Sequence, residues 1–474
     1  MGTPSAMLRW GRFLDTAIEG DVGIFVDEPN PALVARAVRR LASDRPTNGA
    51  WYVKRPASPN PRSSPECVRS PASSPMAAEA QLAMRIVLVA SAYAPAIGGV
   101  EQLTNRLAAH LVAAGDEVEV WTMRHPADLA QSEVIDGVVV RRFPFYLPPA
   151  QPRPLLRLPY RAVIVLRAMR RAAAEFRPDV VHVQCFGVNG VYATALARLE
   201  GLPLVITLQG ETLMDDHDIY ERSVSLRTGL RLALRSAAVV TACSQFVLDD
   251  TVARFGRPLG AAEVIFNGVD TEPDQLPVPL GIVWPRYVLG LGRLVHKKGF
   301  DLLLDAFAGL PDDLAEVAVV IGGGGSELAA LRRKADELGL GERAIFPGPL
   351  SRSQVAGTMG EADVFVLPSR IEPFGIVTLE AMTASTPVLV SSIGGAPEIV
   401  RHGIDGLTVD PTDRAAFRVA LTTMLRDGGL RERLGEAGRR RAAAFTWPTL
   451  TDDYRQIYRE VISARVRRPR DATR

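Results

Sequence analysis

The chain has 474 residues, of which 47% are hydrophobic and 23% are charged, a balance typical of a soluble globular enzyme. Its length exceeds what one compact core normally accommodates, so we expect two domains and an appendage. The 55 basic and 53 acidic residues leave a formal net charge of +2, whereas a protein dedicated to nucleic acid is usually far more basic. We therefore expect no nucleic-acid partner.

Cysteine and histidine spacing excludes the common zinc patterns. The three cysteines form no CxxC pair and the six histidines form no HExxH motif, which argues against a disulfide scaffold and against zinc sites of these kinds. No apolar run has the length needed to span a bilayer, and no secretory signal follows the first residues. The sequence predicts a cytoplasmic protein, and we assign no metal ligands and no cofactor.

Residues 1–50 are predicted to be an appendage to the main body. Residues 55–76 contain six Pro and six Ser among 22 residues, a composition that cannot bury enough apolar surface to fold. We therefore interpret residues 51–83 as a disordered linker. Met84, or Met76, is an alternative start for the working protein.

Part of the appendage resembles a later segment of the same chain. Residues 19–41 match residues 402–424 when Gly23 is placed on Gly406, and both read as a glycine turn, a strand and a helix. The other identities pair Gly20 with Gly403, Val26 with Val409, Asp27 with Asp410, Ala32 with Ala415 and Ala37 with Ala420. The likeness predicts a partial strand–helix copy of the C-terminal region; chance similarity is the alternative.

A first series of alternating strands and helices is predicted for residues 84–275. An amphipathic helix follows the first strand and ends at Gly115. The predicted strands are 85–91, 117–123, 180–184, 203–209, 237–243 and 262–268. This rhythm predicts a parallel, doubly wound, Rossmann-like sheet.

A second series of the same kind is predicted for residues 285–445. Its strands are 286–292, 317–323, 344–348, 363–369, 386–392 and 406–410. The Pro-rich segment 271–285 is our predicted hinge, and a closing helix at 446–465 is expected to return to the first domain. The chain is thus predicted to be an α/β protein with two Rossmann-like domains facing a cleft.

A glycine pair follows the first strand of the body. Gly98 and Gly99 stand between that strand and a helix, where free N–H groups and the helix N-terminus favour an anion. The pair does not form GxGxxG. It therefore predicts a phosphate-binding loop rather than a dinucleotide site, and an ordinary tight turn is the alternative.

Two cations follow the first strand of the second domain. Arg293 and Lys298 belong to the segment GRLVHKKGFD. Cations at the carboxyl end of a parallel strand, beside a cleft, suit a diphosphate. The alternative is a solvated charged loop, but lysine is so scarce in this chain that the Lys297–Lys298 pair is unusual.

Two carboxylates stand eight residues apart in SRIEPFGIVTLEAM. Glu372 precedes a Pro-containing turn, and Glu380 lies on the helix that follows. The free N–H groups of Phe374, Gly375 and Ile376 open that helix. Such a pair can accept hydrogen bonds from two sets of hydroxyls on one ligand; an acid favoured by the helix dipole, plus an exposed Glu, is the alternative.

The segments GGVE, FNGVD, GRLVHKKGFD, EPFGIVTLEAM and GGAPEIV, in this order, resemble those of family 4 retaining glycosyltransferases of the GT-B type, over about residues 84–463. The resemblance implies a nucleotide-diphosphate sugar donor bound mainly by the second domain. It also implies transfer with retention of anomeric configuration and without a bound metal. The appendage contains none of these donor-site motifs, so it is read as a non-catalytic fragment of another such enzyme.

The resemblance also implies roles for the motif residues. Arg293 and Lys298 match the cations that neutralise the donor diphosphate, and Gly98–Gly99 match the loop that approaches it from across the cleft. Glu380 matches the residue that binds the ribose. Glu372 matches the acid that holds sugar hydroxyls, beside the amides of residues 374–376.

The sequence departs from the family pattern on the acceptor side. Gln209 and Gln184 stand at strand ends where the family often has His. Glutamine can hydrogen-bond a sugar hydroxyl but cannot take a proton near neutral pH, which leaves the proton acceptor in doubt. Glu211 and His217 are the nearby candidates, and a solvated loop residue is the alternative for each.

An Arg-rich stretch between residues 141 and 177 contains nine Arg and one acid, Glu175. Six apolar residues keep to one helical face, and four arginines fall on the other. The apolar set is Ala162, Val165, Leu166, Met169, Ala173 and Phe176, and the basic set is Arg161, Arg167, Arg170 and Arg171. Residues 153–177 therefore suit peripheral contact with anionic lipid on the inner membrane face, or an ordinary helix packed on the sheet.

We expect a glycosyltransferase that moves a sugar to a glycan, a lipid-linked or a small-molecule acceptor. The alternatives are a GT-B sugar-nucleotide epimerase, a sugar phosphorylase, and a non-catalytic sugar-nucleotide-binding or scaffold protein. The two glutamines keep the non-catalytic alternative open. The ordered EPFG and GR-x4-KG motifs favour transfer.

Overall fold

The structure is a computed structural model and describes residues 5–8, 23–26, 83–95, 98–146, 158–215, 219–271 and 276–467. Two compact units are present, residues 1–81 and residues 82–474, and each is described by itself. The linker predicted at 51–83 and the helix predicted in the appendage lie almost wholly outside the described residues. Within the described ranges, no helix combines the length and the apolar character that crossing a membrane requires.

The first half of the larger unit is built on one eight-stranded sheet. Its strands are β3 (Arg85–Ala90), β4 (Glu117–Met123), β5 (Ser132–Ile135), β6 (Val138–Phe143), β7 (Val180–Gln184), β8 (Leu204–Leu208), β9 (Val239–Ala242) and β10 (Ala261–Val264). Their order is β10-β9-β8-β7-β3-β4-β6-β5. The central strands β7 and β8 are fully buried, as expected for parallel strands covered by helices on both faces.

One edge of this sheet differs from the parallel sheet that the sequence predicts. Strand β5 pairs with β6 in the antiparallel direction, and neither strand was expected. The hairpin turns at Asp136 and Gly137, whose φ angles are +49° and +79°, the left-handed values that such a two-residue turn requires. Strand β5 is largely exposed, so it contains no apolar run that would have revealed it.

The second half is built on a six-stranded sheet. Its strands are β11 (Arg286–Leu291), β12 (Val317–Gly322), β13 (Ala344–Gly348), β14 (Val364–Leu367), β15 (Val388–Ser391) and β16 (Leu407–Val409). Their order is β13-β12-β11-β14-β15-β16, and every pair is parallel. The predicted α/β class with two Rossmann-like halves is confirmed.

Helices connect the strands on both faces. In the first half they are α1 (Gly99–Ala113), α2 (Leu158–Phe176), α3 (Val188–Glu200), α4 (Ile219–Arg222), α5 (Val224–Ser236) and α6 (Gln245–Phe255). In the second half they are α7 (Phe300–Ala308), α8 (Leu328–Glu337), α9 (Arg352–Glu361), α10 (Ile376–Thr383), α11 (Ala396–Ile399), α12 (Arg414–Arg426), α13 (Gly428–Ala442) and α14 (Trp447–Arg467).

The last helix, α14, lies against the first sheet. Its apolar side packs in one core cluster with Leu103 and Leu107 of α1. Arg455 of α14 donates to Asp116 at 2.8 Å, and both side chains are buried. A buried and paired ion pair of this kind fixes position, because either charge alone would be costly in the core.

A buried polar network also holds α14 to the sheet. His182 on β7 contacts the hydroxyl of Tyr458 at 2.6 Å and that of Thr207 at 2.7 Å. Thr207 contacts the Tyr454 hydroxyl at 2.9 Å. Burial lowers the pKa of His182 to about 3, so the ring is neutral and can both donate and accept among these hydroxyls.

The described part of the smaller unit is a parallel strand pair, β1 (Ser5–Leu8) and β2 (Gly23–Val26). Ser5 pairs with Gly23, and Leu389 of β15 pairs with Leu407 of β16. In both strand pairs, each residue of the first strand pairs with the residue 18 positions further along the chain. The two strand pairs thus share this spacing, and the hypothesis of a glycosyltransferase fragment stays a prediction.

Candidate active site

A cavity of about 620 Å³ lies between the two halves of the larger unit. Its wall includes residues from the ends of β11 and β12, from α1, α9 and α10, and from the segment after β10. Four predicted site residues line it: Gly98, Gly99, Ile376 and Glu380. The lining does not include Arg293, Lys298, Glu372, Phe374 or Gly375, which belong to the neighbouring loops described below.

The glycine pair forms part of the first-domain wall of this cavity. Helix α1 begins at Gly99, and Gly98 before it is extended, with no side-chain cap on the first turn. The backbone N–H groups of an uncapped first turn need partners. A bound anion can supply them, because the helix N-terminus carries partial positive charge.

Glu380 lies on α10 in the opposite wall. Among the described residues, none donates a hydrogen bond to its carboxylate. Burial raises the pKa of Glu380, with Arg352 acting in the opposite direction and Asp270 adding to the rise. A half-buried acid that accepts no hydrogen bond from the described residues is an available acceptor for ligand hydroxyls.

Lys298 and Glu372 form a close pair beside the cavity. Lys298 ends a 3₁₀ turn, His296–Lys298, and its Nζ lies 2.6 Å from Glu372 Oε2. Ser369 Oγ donates to the same carboxylate oxygen at 2.8 Å. Glu372 is 4% exposed, so the predicted diphosphate cation and the predicted sugar acid meet in a nearly dry environment.

The backbone of Glu372 is fixed from the other side by the GGAPEIV segment. Gly395 N donates to the Glu372 carbonyl at 2.7 Å. A Cβ at Gly394 would lie 2.1 Å from that same oxygen, and Gly394 has a φ of +110°. Glycine is therefore required at Gly394 both for its conformation and for close approach.

The segment between the two acids leads into α10. Phe374 is buried and stacks on Phe266 with ring centroids 6.0 Å apart. Gly375 has a φ of +89° and directly precedes the first helical residue, Ile376. Arg293 follows Gly292 at the end of β11 and is exposed, so its position in the chain puts it at the cavity edge next to a lining residue.

Gln209 forms hydrogen bonds with a residue that the sequence analysis did not single out. Its amide pairs reciprocally with that of Asn267, at 3.2 Å and 2.9 Å. Asn267 is 3% exposed and belongs to the FNGVD motif. The motif was noted in the sequence, but the partner of its asparagine depends on the tertiary fold.

Glu211 is not the solvated loop residue considered as its alternative. Its two carboxylate oxygens accept from the backbone N–H groups of Phe186 and Gln209, each at 2.7 Å. Burial raises the pKa of Glu211 to about 7, against these hydrogen bonds, which lower it. Glu211 thus joins the loops that follow β7 and β8, while His217 lies outside the described residues.

The basic helix has the two faces that its sequence predicts. Val165, Met169 and Ala173 are buried, and the four arginines of the basic set are exposed. Several basic charges in the stretch are already paired. Arg170 contacts Glu200, and Arg141 lies 2.9 Å from Glu119 and 2.7 Å from Glu175.

Comparison with known proteins agrees with this geometry. The family described as Glycosyltransferase Family 4 matches residues 97–273, and that described as Glycosyl transferases group 1 matches residues 280–441. The D-inositol 3-phosphate glycosyltransferase of Acidothermus cellulolyticus is 30% identical over 398 residues, covering 78% of this chain and 87% of that protein. The glycogen synthase of Mycobacterium tuberculosis is 28% identical over 392 residues, covering 79% of this chain and 94% of that protein.

Solved structures show the same fold. Sucrose-phosphate synthase from Thermosynechococcus elongatus aligns with a TM-score of 0.68 and 24% identity, covering 80% of this chain and all of that chain. The relatives cover most of the larger unit. They agree with its two α/β halves, with the cavity between the halves and with the motif residues at the edge of that cavity. The chain belongs to the family 4 glycosyltransferases of GT-B fold.

Proposed function

We propose that this glycosyltransferase moves a sugar from a nucleoside diphosphate with retention of configuration and without a metal ion. The observation that carries the proposal is the buried Lys298–Glu372 pair, which joins the GR-x4-KG and EPFG motifs beside the interdomain cavity. The acceptor is a hydroxyl of a glycan, a lipid-linked sugar or a small molecule.

The leaving group is stabilised by charges that the chain supplies. The bond between the anomeric carbon and the phosphate oxygen breaks, and its electron pair stays on the diphosphate. Arg293 and Lys298 neutralise that charge from the second domain, and the N–H groups at Gly98–Gly99 approach it from the first. Fixed donors in a partly dry cleft stabilise such developing charge more than water does.

The two acids hold different parts of the donor. Glu372 accepts from the hydroxyls of the transferred sugar, and its negative charge lies where the sugar becomes positive. Glu380, in the cavity wall, accepts from the ribose hydroxyls. The first interaction strengthens in the transition state, whereas the second is the same before and during reaction.

The proton of the acceptor goes to the leaving diphosphate. Gln209 cannot serve as a base, and both oxygens of Glu211 already accept backbone hydrogen bonds. The departing phosphate oxygen gains basicity as the bond breaks. The acceptor oxygen therefore attacks from the same face as the leaving group, which gives retention.

The exposed face of α2 is the proposed membrane contact. Val163 and Ile164 are 43% and 45% exposed and share this face with Arg167 and Arg171. Apolar side chains flanked by arginines suit an anionic lipid surface. Sedimentation with phosphatidylglycerol vesicles tests this, and wild-type binding by Arg167→Glu/Arg171→Glu protein would contradict it.

A donor screen tests the proposed function. UDP-, GDP- and ADP-sugars are added to the full chain, and the true donor should raise the melting temperature when present well above its dissociation constant. NMR of the product should show the anomeric configuration of the donor, with turnover unchanged by EDTA. Inversion, or loss of activity in EDTA, would contradict the proposed chemistry.

A further inference from the structure

Lys297, the neighbour of the diphosphate lysine, reaches across to the first domain. Its Nζ donates to the carbonyl oxygens of Leu213 at 2.8 Å and Asp215 at 2.6 Å. Both residues belong to segment 209–215, which directly follows β8 and contains Gln209 and Glu211. Hydrogen bonds from a charged donor are stronger than neutral ones. Two adjacent lysines on one turn therefore contact opposite sides of the cleft.

The turn that carries both lysines is braced from the EPFG side. Arg370 donates through its backbone N–H to the Lys297 carbonyl at 2.9 Å and through its guanidinium to the His296 carbonyl at 2.8 Å. Asp301 holds that guanidinium with two hydrogen bonds of 2.7 Å. Since Arg370 stands two residues before Glu372, the turn and the acid loop form one connected body.

Segment 209–215 is fastened on its other side as well. Leu213 N and Met214 N donate to the Gly210 carbonyl, at 3.0 Å and 2.8 Å, so the segment is a compact turn. A Cβ at Gly210 would lie 2.4 Å from the Pro373 side chain. The segment therefore touches the EPFG loop directly, and Lys297 holds the end of the segment that this contact does not reach.

We propose that Lys297 is a positioning residue that couples the donor diphosphate site to the acceptor segment 209–215. This inference rests on the proposed function, in which Lys298 binds the diphosphate. Binding of the diphosphate fixes Lys298, the braced turn fixes Lys297 with it, and Lys297 holds segment 209–215 at the distance that transfer requires. The role is separate from charge stabilisation, because Lys297 contacts carbonyl groups of the other domain.

Hydrogen–deuterium exchange of the full chain tests this coupling. The probe is whichever of UDP, GDP and ADP raises the melting temperature most. In the wild-type protein, the probe should slow exchange at residues 210–215 by about fivefold or more. In Lys297→Met, exchange there should be faster without the probe and should not slow when it is added.

Two variants serve as controls. Lys297→Arg keeps the charge and should restore most of the slowing. Lys334→Met removes a lysine that lies 2.7 Å from Asp305 within the second domain, and exchange at 210–215 should stay as in the wild type. Because coupling is reciprocal, Lys297→Met should bind the probe more weakly by no more than the factor by which the probe slows exchange, about fivefold.

Kinetics separate positioning from folding. Lys297→Met should lower kcat by about tenfold or more and raise the donor KM by no more than about fivefold. If Lys297→Met showed wild-type exchange at residues 210–215 and wild-type slowing by the probe, the inference would be overturned. The proposed function would stand in that case. If none of the three diphosphates binds the wild-type protein, the proposed function fails and the inference fails with it.

Discussion

The ammonium group of Lys298 lies 2.6 Å from a carboxylate oxygen of Glu372, although the two residues are 74 positions apart in the chain. Both side chains are largely buried. Each is therefore in direct contact with the opposite charge of the other before a donor binds. A change at either residue should therefore alter the electrostatic environment of both the proposed diphosphate site and the proposed sugar site.

Glu372→Gln should separate those roles. It removes the charge that stabilises the sugar cation, so kcat should fall by about a hundredfold. It also releases Lys298 from its carboxylate partner, so affinity for the free nucleoside diphosphate, measured by calorimetry, should stay the same or rise. Glu436→Gln, at a side chain that is 46% exposed, is the matched control. Weaker diphosphate binding by about tenfold in Glu372→Gln would contradict these assignments.

Glu380→Ala should affect donor binding more than chemistry. The ribose does not change during reaction, so we expect the donor KM to rise by about tenfold and kcat to change by less than about threefold. Burial raises the pKa of Glu380, so the carboxylate is protonated at a higher pH than an ordinary glutamate. The wild-type donor KM should therefore rise as the pH falls, and Glu380→Ala should lose that dependence. If Glu380→Ala lowered kcat and left the donor KM unchanged, Glu380 would be assigned to the transferred sugar instead.

His182 should make stability depend on pH. Its pKa in the folded protein is about 3 because of burial, against about 6.5 for the unfolded chain. The unfolded chain therefore takes up a proton that the folded protein does not, and stability falls as the pH drops from about 6.5 toward 3. The slope for one proton is about 1.4 kcal/mol per pH unit.

Urea unfolding between pH 7.5 and pH 5 measures that slope. His182→Gln should be less stable at neutral pH, because the network with Thr207 and Tyr458 is altered, but its acid slope should be flatter by about one proton. The exposed His402→Gln should behave like the wild type. An unchanged slope in His182→Gln would show that another group governs the acid response.

A chain beginning at Met84 should melt and turn over like the full chain. The Pro- and Ser-rich residues 55–76 predict a linker that isolates the appendage, and the appendage contains no donor-site motif. Scanning calorimetry and initial rates on the two chains check this. A lower melting temperature of the shorter chain would mean that residues 1–83 stabilise the body.

Features encoded by short stretches of sequence were predicted well. Strands β7 and β13 match their predicted bounds, because apolar or β-branched runs between turn signals mark strands. The hairpin at Asp136–Gly137 was missed although Asp-Gly is a typical hairpin turn. Its exposed first strand offered no apolar run to draw attention to the turn.

Contacts between distant residues were not predictable. Gln209 and Asn267 are 58 positions apart, and Lys297 and Asp215 are 82 apart. No local pattern specifies which amide or carbonyl a side chain will meet, because that depends on how the strand ends converge. Arg293, Lys298, Glu372 and Glu380 could be singled out because each lies within a motif, and their roles stay predictions.

The steady-state rate of nucleoside diphosphate release by Arg293→Ala and Lys298→Ala, with the donor found by the screen, tests the central claim most directly. Loss of a cation that stabilises the leaving group should lower the rate of each variant by about a hundredfold or more, while circular dichroism stays as in the wild type. Turnover near the wild-type rate in either correctly folded variant would contradict the assignment of that residue to the leaving diphosphate.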